Sequence, residues 1–361
     1  MALDRISITD FRNHAATALD GTARFNLLVG ANGAGKTNVL EALSLLAPGR
    51  GLRRAKLPEM ARSDGPGGFA IGAMLQPADG AEPVRLGTMV DPAQPTRRRV
   101  RVNGAEASAL GLSEWLSVRW LTPAMDGLFT DSAGARRRFL DRLVLAISPA
   151  HATLSNRYET ALRNRNRLLA DEAEPDPRWL DALEAQLAEH GAQLAANRRL
   201  LVERLNAALL AETDTPFPRP SLALEPVGPE EREALARALR DNRPTDRRAG
   251  RTLIGPHRVE LAVTLADKGV PAATASTGEQ KAMLIAIVLA HGAIAAKGRA
   301  GVLLMDEVAA HLDPDRRAAL FARLAANGEQ VWMTGTERAP FDAILAQAAV
   351  WDVSGGALQR I

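Results

Sequence analysis

Ile6, Ile8 and Phe11 are spaced by polar residues and run into Arg12-Asn13, a pattern that predicts a strand entering a turn. Phe25 to Val29 forms a strand that ends in the apolar run Leu27-Leu28-Val29. Glycines at 30, 33 and 35 interrupt it. A helix follows over 38–46 and is closed by Pro48, Gly49 and Gly51. Between 50 and 110, Gly and Pro breaks alternate with short apolar stretches at 69–75 and 84–90. This is an antiparallel β-section, with Asn103-Gly104 as a hairpin signal.

The period changes near residue 125. From Gly134 to about Glu212 the apolar positions fall at helical spacing, first Leu140, Val144, Ile147, Leu154, Tyr158, Leu162 and Leu169. Pro175 and Pro177 break the run. A second segment resumes with Leu180, Leu183, Leu187, Leu194, Leu201 and Leu205 in a near-heptad rhythm. These segments predict an antiparallel helical arm, 125–215, inserted between two halves, 1–124 and 216–361, of an α/β head. In the second half we expect a strand at 222–224, a helix over 229–240, a strand with an internal turn over 251–261, a buried helix over 282–296, and strands at 302–305 and 331–333.

At 361 residues the chain is long enough for two domains, and 46% hydrophobic with 24% charged residues is an ordinary globular composition. The absence of cysteine excludes disulfides and thiol chemistry. The N-terminus lacks the layout of a signal peptide, and the longest apolar run is too short to span a bilayer, so a cytoplasmic location is expected. A net charge of +3 leaves any basic surface to local clustering. One cluster is Arg97, Arg98, Arg99 and Arg101, which reads either as a solvated edge strand or as a DNA-facing one. Another lies between Arg119 and Arg167: nine arginines and no lysine against four acids, an excess of +5. Within it Arg136, Arg137 and Arg138 are candidates for tracking DNA phosphates. The competing reading is a solvated helix face with Asp141 paired to Arg137 and Arg138.

The break after the first apolar run carries the clearest chemistry. Gly30-Ala31-Asn32-Gly33-Ala34-Gly35-Lys36-Thr37 satisfies G-x-x-x-x-G-K-[ST] between a strand and a helix. The glycines let the backbone amides turn inward toward phosphate at a helix N-terminus. Lys36 reaches the β- and γ-phosphates of ATP, and the Thr37 hydroxyl ligates Mg²⁺. Val302-Leu303-Leu304-Met305-Asp306-Glu307 is a second half-site, a buried strand ending in two acids. Asp306 is placed to hold Mg²⁺ through water, and Glu307 to polarise the attacking water as general base. Ser276-Thr277-Gly278-Glu279 precedes the long apolar helix and on its own is a helix cap.

The order phosphate loop, inserted helices, S-x-G-E, helix, hhhhDE, then His311-Leu312-Asp313 resembles ATP-binding-cassette (ABC) ATPases of the SMC-like branch. Their fold is a P-loop head, a mixed sheet with helices plus an antiparallel β-subdomain. The resemblance implies that Ser276, Gly278 and Glu279 cap an ATP held by a second subunit, and that Asp313 helps join the two. Thr277 replaces a common second glycine. Thr334 stands where transporter members carry a histidine that contacts the γ-phosphate; a neutral hydroxyl there fits slow hydrolysis. No glutamine loop stands out.

Residues 8–13, 136–141, Gly255-Pro256-His257-Arg258 and 276–281, with an arm of only about 90 residues, narrow the resemblance to the RecF family of bacterial recombination mediators. That implies ATP-dependent homodimers, binding of duplex and gapped DNA with single strands also possible, weak DNA-stimulated ATPase activity, and cooperation with RecR and RecO in loading RecA. Roles in replication, repair, recombination and the SOS response go with it. By the same resemblance Arg12 and Asn13 lie beside the nucleotide. His257 reads as a structural hydrogen-bonder at least as readily as a catalytic group. The rival readings are a transporter-type ABC subunit and an ATP-holding structural DNA-binding module.

Overall fold

The computed structural model describes residues 2–77, 80–212, 215–295, 299–309 and 312–361. His311 and the last residue of the expected 282–296 helix lie outside the described residues. The chain divides into two compact units, one of 1–126, 214–217 and 288–361, the other of 127–213 and 218–287.

The first unit begins with strands β1 (Ala2–Phe11), β2 (His14–Leu19) and β3 (Phe25–Val29), then helix α1 (Lys36–Ser44) and the short α2 (Leu57–Met60). Strands β4 (Phe69–Gln76), β5 (Val84–Val90), β6 (Arg98–Val102) and β7 (Ala105–Ala107) follow, then α3 (Leu112–Trp115) and β8 (Leu116–Leu121). The expected β-section is an antiparallel sheet in the order β2-β1-β4-β5-β6-β7. Arg98, offered by the sequence as part of a basic edge, turns inward. Its guanidinium donates to Thr88 Oγ1 at 2.7 Å and to the carbonyls of Leu45, Ala47 and Gly49, closing the C-terminal end of α1. Burial lowers its pKa to about 10.

In the second unit, α4 (Ala133–Ile147) is followed by α5 (Ala150–Ala170) and α6 (Pro177–Ala211). Three contacts fix α5 and α6 as antiparallel: Arg165 meets Glu184, Tyr158 lies against Gly191, and His151 meets Asn197, so numbers rise on one helix as they fall on the other. Next come β9 (Pro220–Glu225), α7 (Arg232–Asp241), α8 (Arg243–Ala249), β10 (Glu260–Leu265), the two-residue β11 (Val270–Pro271) and α9 (Thr277–Ala295). Tyr158, Leu187, Leu194, Leu235 and Leu239 share one core, so α7 packs with the arm helices. The division expected at 124/125 and 215/216 is therefore displaced: residues 218–287 group with the helices, and the boundary on that side falls inside α9.

The chain then returns to the first unit as β12 (Ala300–Met305), α10 (Pro314–Ala326), β13 (Gln330–Gly335), α11 (Asp342–Leu345), β14 (Ala348–Ser354) and β15 (Ala357–Arg360). The central sheet runs β15-β14-β3-β13-β12-β8, parallel except for β15 at its edge. Helix α1 is buried on nearly every side, its Val39, Leu40 and Leu43 sharing a core with Ile6 and Ile8 of the antiparallel sheet and with Leu28, Val302 and Trp332 of the central one. The burial includes its polar Glu41 and Ser44. That burial fixes the direction in which its N-terminus faces.

Candidate nucleotide-binding and coupling site

Strand β3, buried at all five positions, delivers the chain to Gly30, and α1 starts six residues later at Lys36. Gly33 and Gly35 sit at φ 81° and 115°, in the left-handed region that disfavours any side chain. At Gly35 an added Cβ would also stand 2.6 Å from Asn13 Nδ2 and push that side chain aside. The loop is fastened from behind. Asn13 Nδ2–H donates to Ala34 O at 3.0 Å, the Gly356 amide donates to the same oxygen at 3.1 Å, and His14 Nε2 lies 3.1 Å from Gly35 O. In a trans peptide the carbonyl and the following N–H point oppositely, so anchoring those two oxygens turns the amides of Gly35 and Lys36 the other way.

Lys36 is buried, its ammonium donating to Gly30 O at 2.6 Å and Ala31 O at 2.9 Å. Ala31, Asn32 and Gly33 are exposed at the tip of the loop. Thr37 Oγ1–H donates to Asp306 Oδ1 at 2.9 Å. The acids are thus brought to the helix start, because β12 lies two strands from β3 with β13 between them. Thr334, at the end of that intervening strand, donates its hydroxyl to Asp306 Oδ1 at 2.8 Å and accepts the Glu307 amide at 2.9 Å. The one proton of the neutral hydroxyl at this position is thus directed at Asp306. Glu307 is partly exposed and held at φ 53°.

Asn13 touches the loop, while Arg12 is held one turn further along α1. Its guanidinium forks onto the fully buried Glu41 at 2.8 and 2.9 Å and donates to Glu59 O at 2.7 Å. Arg53 binds the same carboxylate at 3.0 Å and Asn38 Oδ1 at 2.7 Å. Glu41 and His14 are residues that sequence reasoning missed. A glutamate within the apolar run 39–43 was the available signal, since a carboxylate inside a buried helix requires cations.

Ser276, Gly278 and Glu279 belong to the second unit. Ser276 caps α9, accepting the Glu279 amide at 3.3 Å while its own amide donates to Glu279 Oε2 at 2.9 Å, a capping box. The Lys268 ammonium, at 2.6 Å, and the Ser276 donors hold the Glu279 pKa down to about 2. Ser276 and Gly278 are exposed, and a Cβ at Gly278 would meet nothing within 4 Å. Asp313 caps α10 through the Arg316 amide at 2.8 Å and is also exposed.

The arginine cluster is not one surface. Arg119 and Arg165 are buried, the first paired with Glu329, the second with Glu184 and Asp246. Arg136 is paired with Glu260 at 2.7 Å through Nε, Arg137 is partly buried, and Arg138 is exposed. Asp141 pairs with Arg198, at 2.7 and 2.9 Å, and with His151 instead of with its helix neighbours Arg137 and Arg138. His257 donates from Nε2 to Thr252 O at 3.0 Å and accepts the Tyr158 hydroxyl on Nδ1 at 2.8 Å. Burial pushes its pKa down to about 4, the behaviour of a neutral structural imidazole.

A glycine-rich loop before a buried helix, facing an acid-tipped parallel strand, in a head with an attached antiparallel sheet, defines an ABC-type ATPase head. The family described as "RecF/RecN/SMC N terminal domain" matches residues 2–347. "DNA replication and repair protein RecF" of Mesorhizobium japonicum is 48% identical over 98% of this chain and 96% of that protein. The chain belongs to the RecF family. Solved structures of "the recombination mediator protein RecF-ATPrS in RecFOR pathway" and of the corresponding "RecF-ATP" share its fold, with TM-scores of 0.86 and 0.84 at 22% and 24% identity. Both cover 100% of this chain, which in turn spans 98% and 99% of theirs.

Proposed function

We propose that this chain is a nucleotide-controlled DNA clamp acting in recombinational repair. Two copies bind ATP·Mg²⁺ and close on each other, dimerisation strengthens the hold on duplex DNA beside single-strand gaps, and slow, DNA-stimulated hydrolysis releases it. RecR and RecO are its partners in loading RecA, a reading supported by the RecFOR pathway named for the structural relatives.

The residues present fit a magnesium triphosphate. The amides of Gly35 and Lys36 are turned away from their anchored carbonyls, and Lys36 sits at the loop's base. Thr37 and Asp306 share a hydrogen bond that orders both for a cation. When bound, Mg²⁺ neutralises charge developing on the phosphates. Glu307 takes the proton from the attacking water.

The observation that carries the clamp reading is the exposure of Ser276 and Gly278 at the N-terminus of α9, where a phosphate on a second copy would take over the Ser276 proton that Glu279 Oε2 now accepts at 2.8 Å. A Ser276 buried in its own unit would have contradicted it. For DNA, Arg138 together with the exposed Arg157 and Arg167 is the better-supported part of the arm, since Arg136 is paired with Glu260. The test is phosphate release with and without duplex DNA. Stimulated turnover supports the reading, and release absent under both conditions favours the structural DNA-binding module.

A further inference from the structure

A threonine hydroxyl has one proton and two acceptor lone pairs. At Thr334, which is 1% exposed, the proton goes to Asp306 Oδ1 at 2.8 Å and a lone pair takes the Glu307 amide at 2.9 Å. The same Asp306 oxygen accepts the Thr37 hydroxyl at 2.9 Å. Helix α1, β12 and β13 are therefore joined through one carboxylate oxygen, and the line of bonds ends on the backbone of Glu307. That backbone stands at φ 53°, a conformation that a residue with a side chain keeps only when its surroundings enforce it.

From this geometry we infer that Thr334 is a positioning residue for hydrolysis. Its hydroxyl holds the Glu307 backbone in the left-handed conformation that aims the carboxylate, and it ties that conformation to the state of Asp306 and Thr37. A change in what the Thr37 hydroxyl touches is thereby transmitted to the general base without Thr334 meeting the substrate. The inference rests on the reading of Glu307 as base and deepens it by naming what sets the base's geometry.

Thr334→Val keeps the shape and removes the hydroxyl, while Thr334→Ser keeps the hydroxyl. The valine variant is expected to lose about tenfold or more in turnover at saturating ATP, with KM moved by less than about threefold, and serine to restore it. Independently of turnover, the Glu307 amide in nucleotide-free protein should exchange its hydrogen about tenfold faster in the valine variant than in wild type or Thr334→Ser. Thr334→Ala provides the same comparison should thermal melting show the valine variant to be unfolded. Wild-type turnover and exchange in the hydroxyl-free variant, or a serine variant as slow as the valine one, would overturn the inference. Glu307→Gln separates the two levels. Undiminished hydrolysis there contradicts the base reading itself, whereas its loss beside a fully active Thr334→Val contradicts only the role given to Thr334.

Discussion

Lys36 shows how little room the site leaves for chemical near-equivalents. Its ammonium is buried and fits between Gly30 O and Ala31 O, a place for a compact point charge. A planar guanidinium carries its donors in a rigid fork and cannot take the same position. Lys36→Arg should therefore lower turnover by about 100-fold or more while ATP still binds, measured as phosphate release beside nucleotide titration. His257 makes a second residue-scale claim, about pH. The unfolded imidazole gains its proton near pH 6.5 and the folded one near 4. Unfolding is thus coupled to proton uptake in that window, and stability falls as pH drops from 6.5 to 4. Replacing His257 with glutamine should flatten that acid limb in melts taken across the window.

At the scale of elements, what the sequence made legible was local and what it hid was pairing. The phosphate loop, the acid-tipped strand and the capping box are each written in consecutive residues, and each folds as its spacing predicts. The segment 251–261 does not. Its expected strand starts only at Glu260, because the buried Asp246 accepts the Leu253 amide at 3.0 Å and Asn166 accepts the Thr252 amide at 2.8 Å. Those amides are committed before a ladder can form. The arm arginines divide in a way the sequence does not show for the same reason, since counting charges along a helix cannot reveal which are buried against a distant carboxylate. Arg165 is the extreme case. It is fully buried and joins α5 to Glu184 of α6, Asp246 of α8 and the Leu239 carbonyl of α7. Arg165→Ala leaves Asp246 and Glu184 without that partner and should cost about 3–5 kcal/mol in urea unfolding of the second unit. A loss under about 1 kcal/mol would show that Arg243, which also binds Glu184, compensates.

At the scale of the whole molecule, the clamp reading makes DNA affinity depend on how many phosphates the arm neutralises. Changing Arg138, Arg157 and Arg167 to alanine should reduce the slope of log K against log salt by about 0.9 for each phosphate no longer neutralised, whereas an unchanged slope would move the DNA surface elsewhere. Among the described residues no helix is long and apolar enough to cross a membrane. The central claim is that a triphosphate joins two copies of this chain, and Glu307→Gln, expected to stop hydrolysis without touching the phosphate loop or the α9 cap, isolates it. Sedimentation velocity of that variant with ATP, with ADP and without nucleotide, each repeated with duplex DNA, should give a dimer with ATP and a monomer with ADP or none. A monomer with saturating ATP, with and without DNA, would contradict the account.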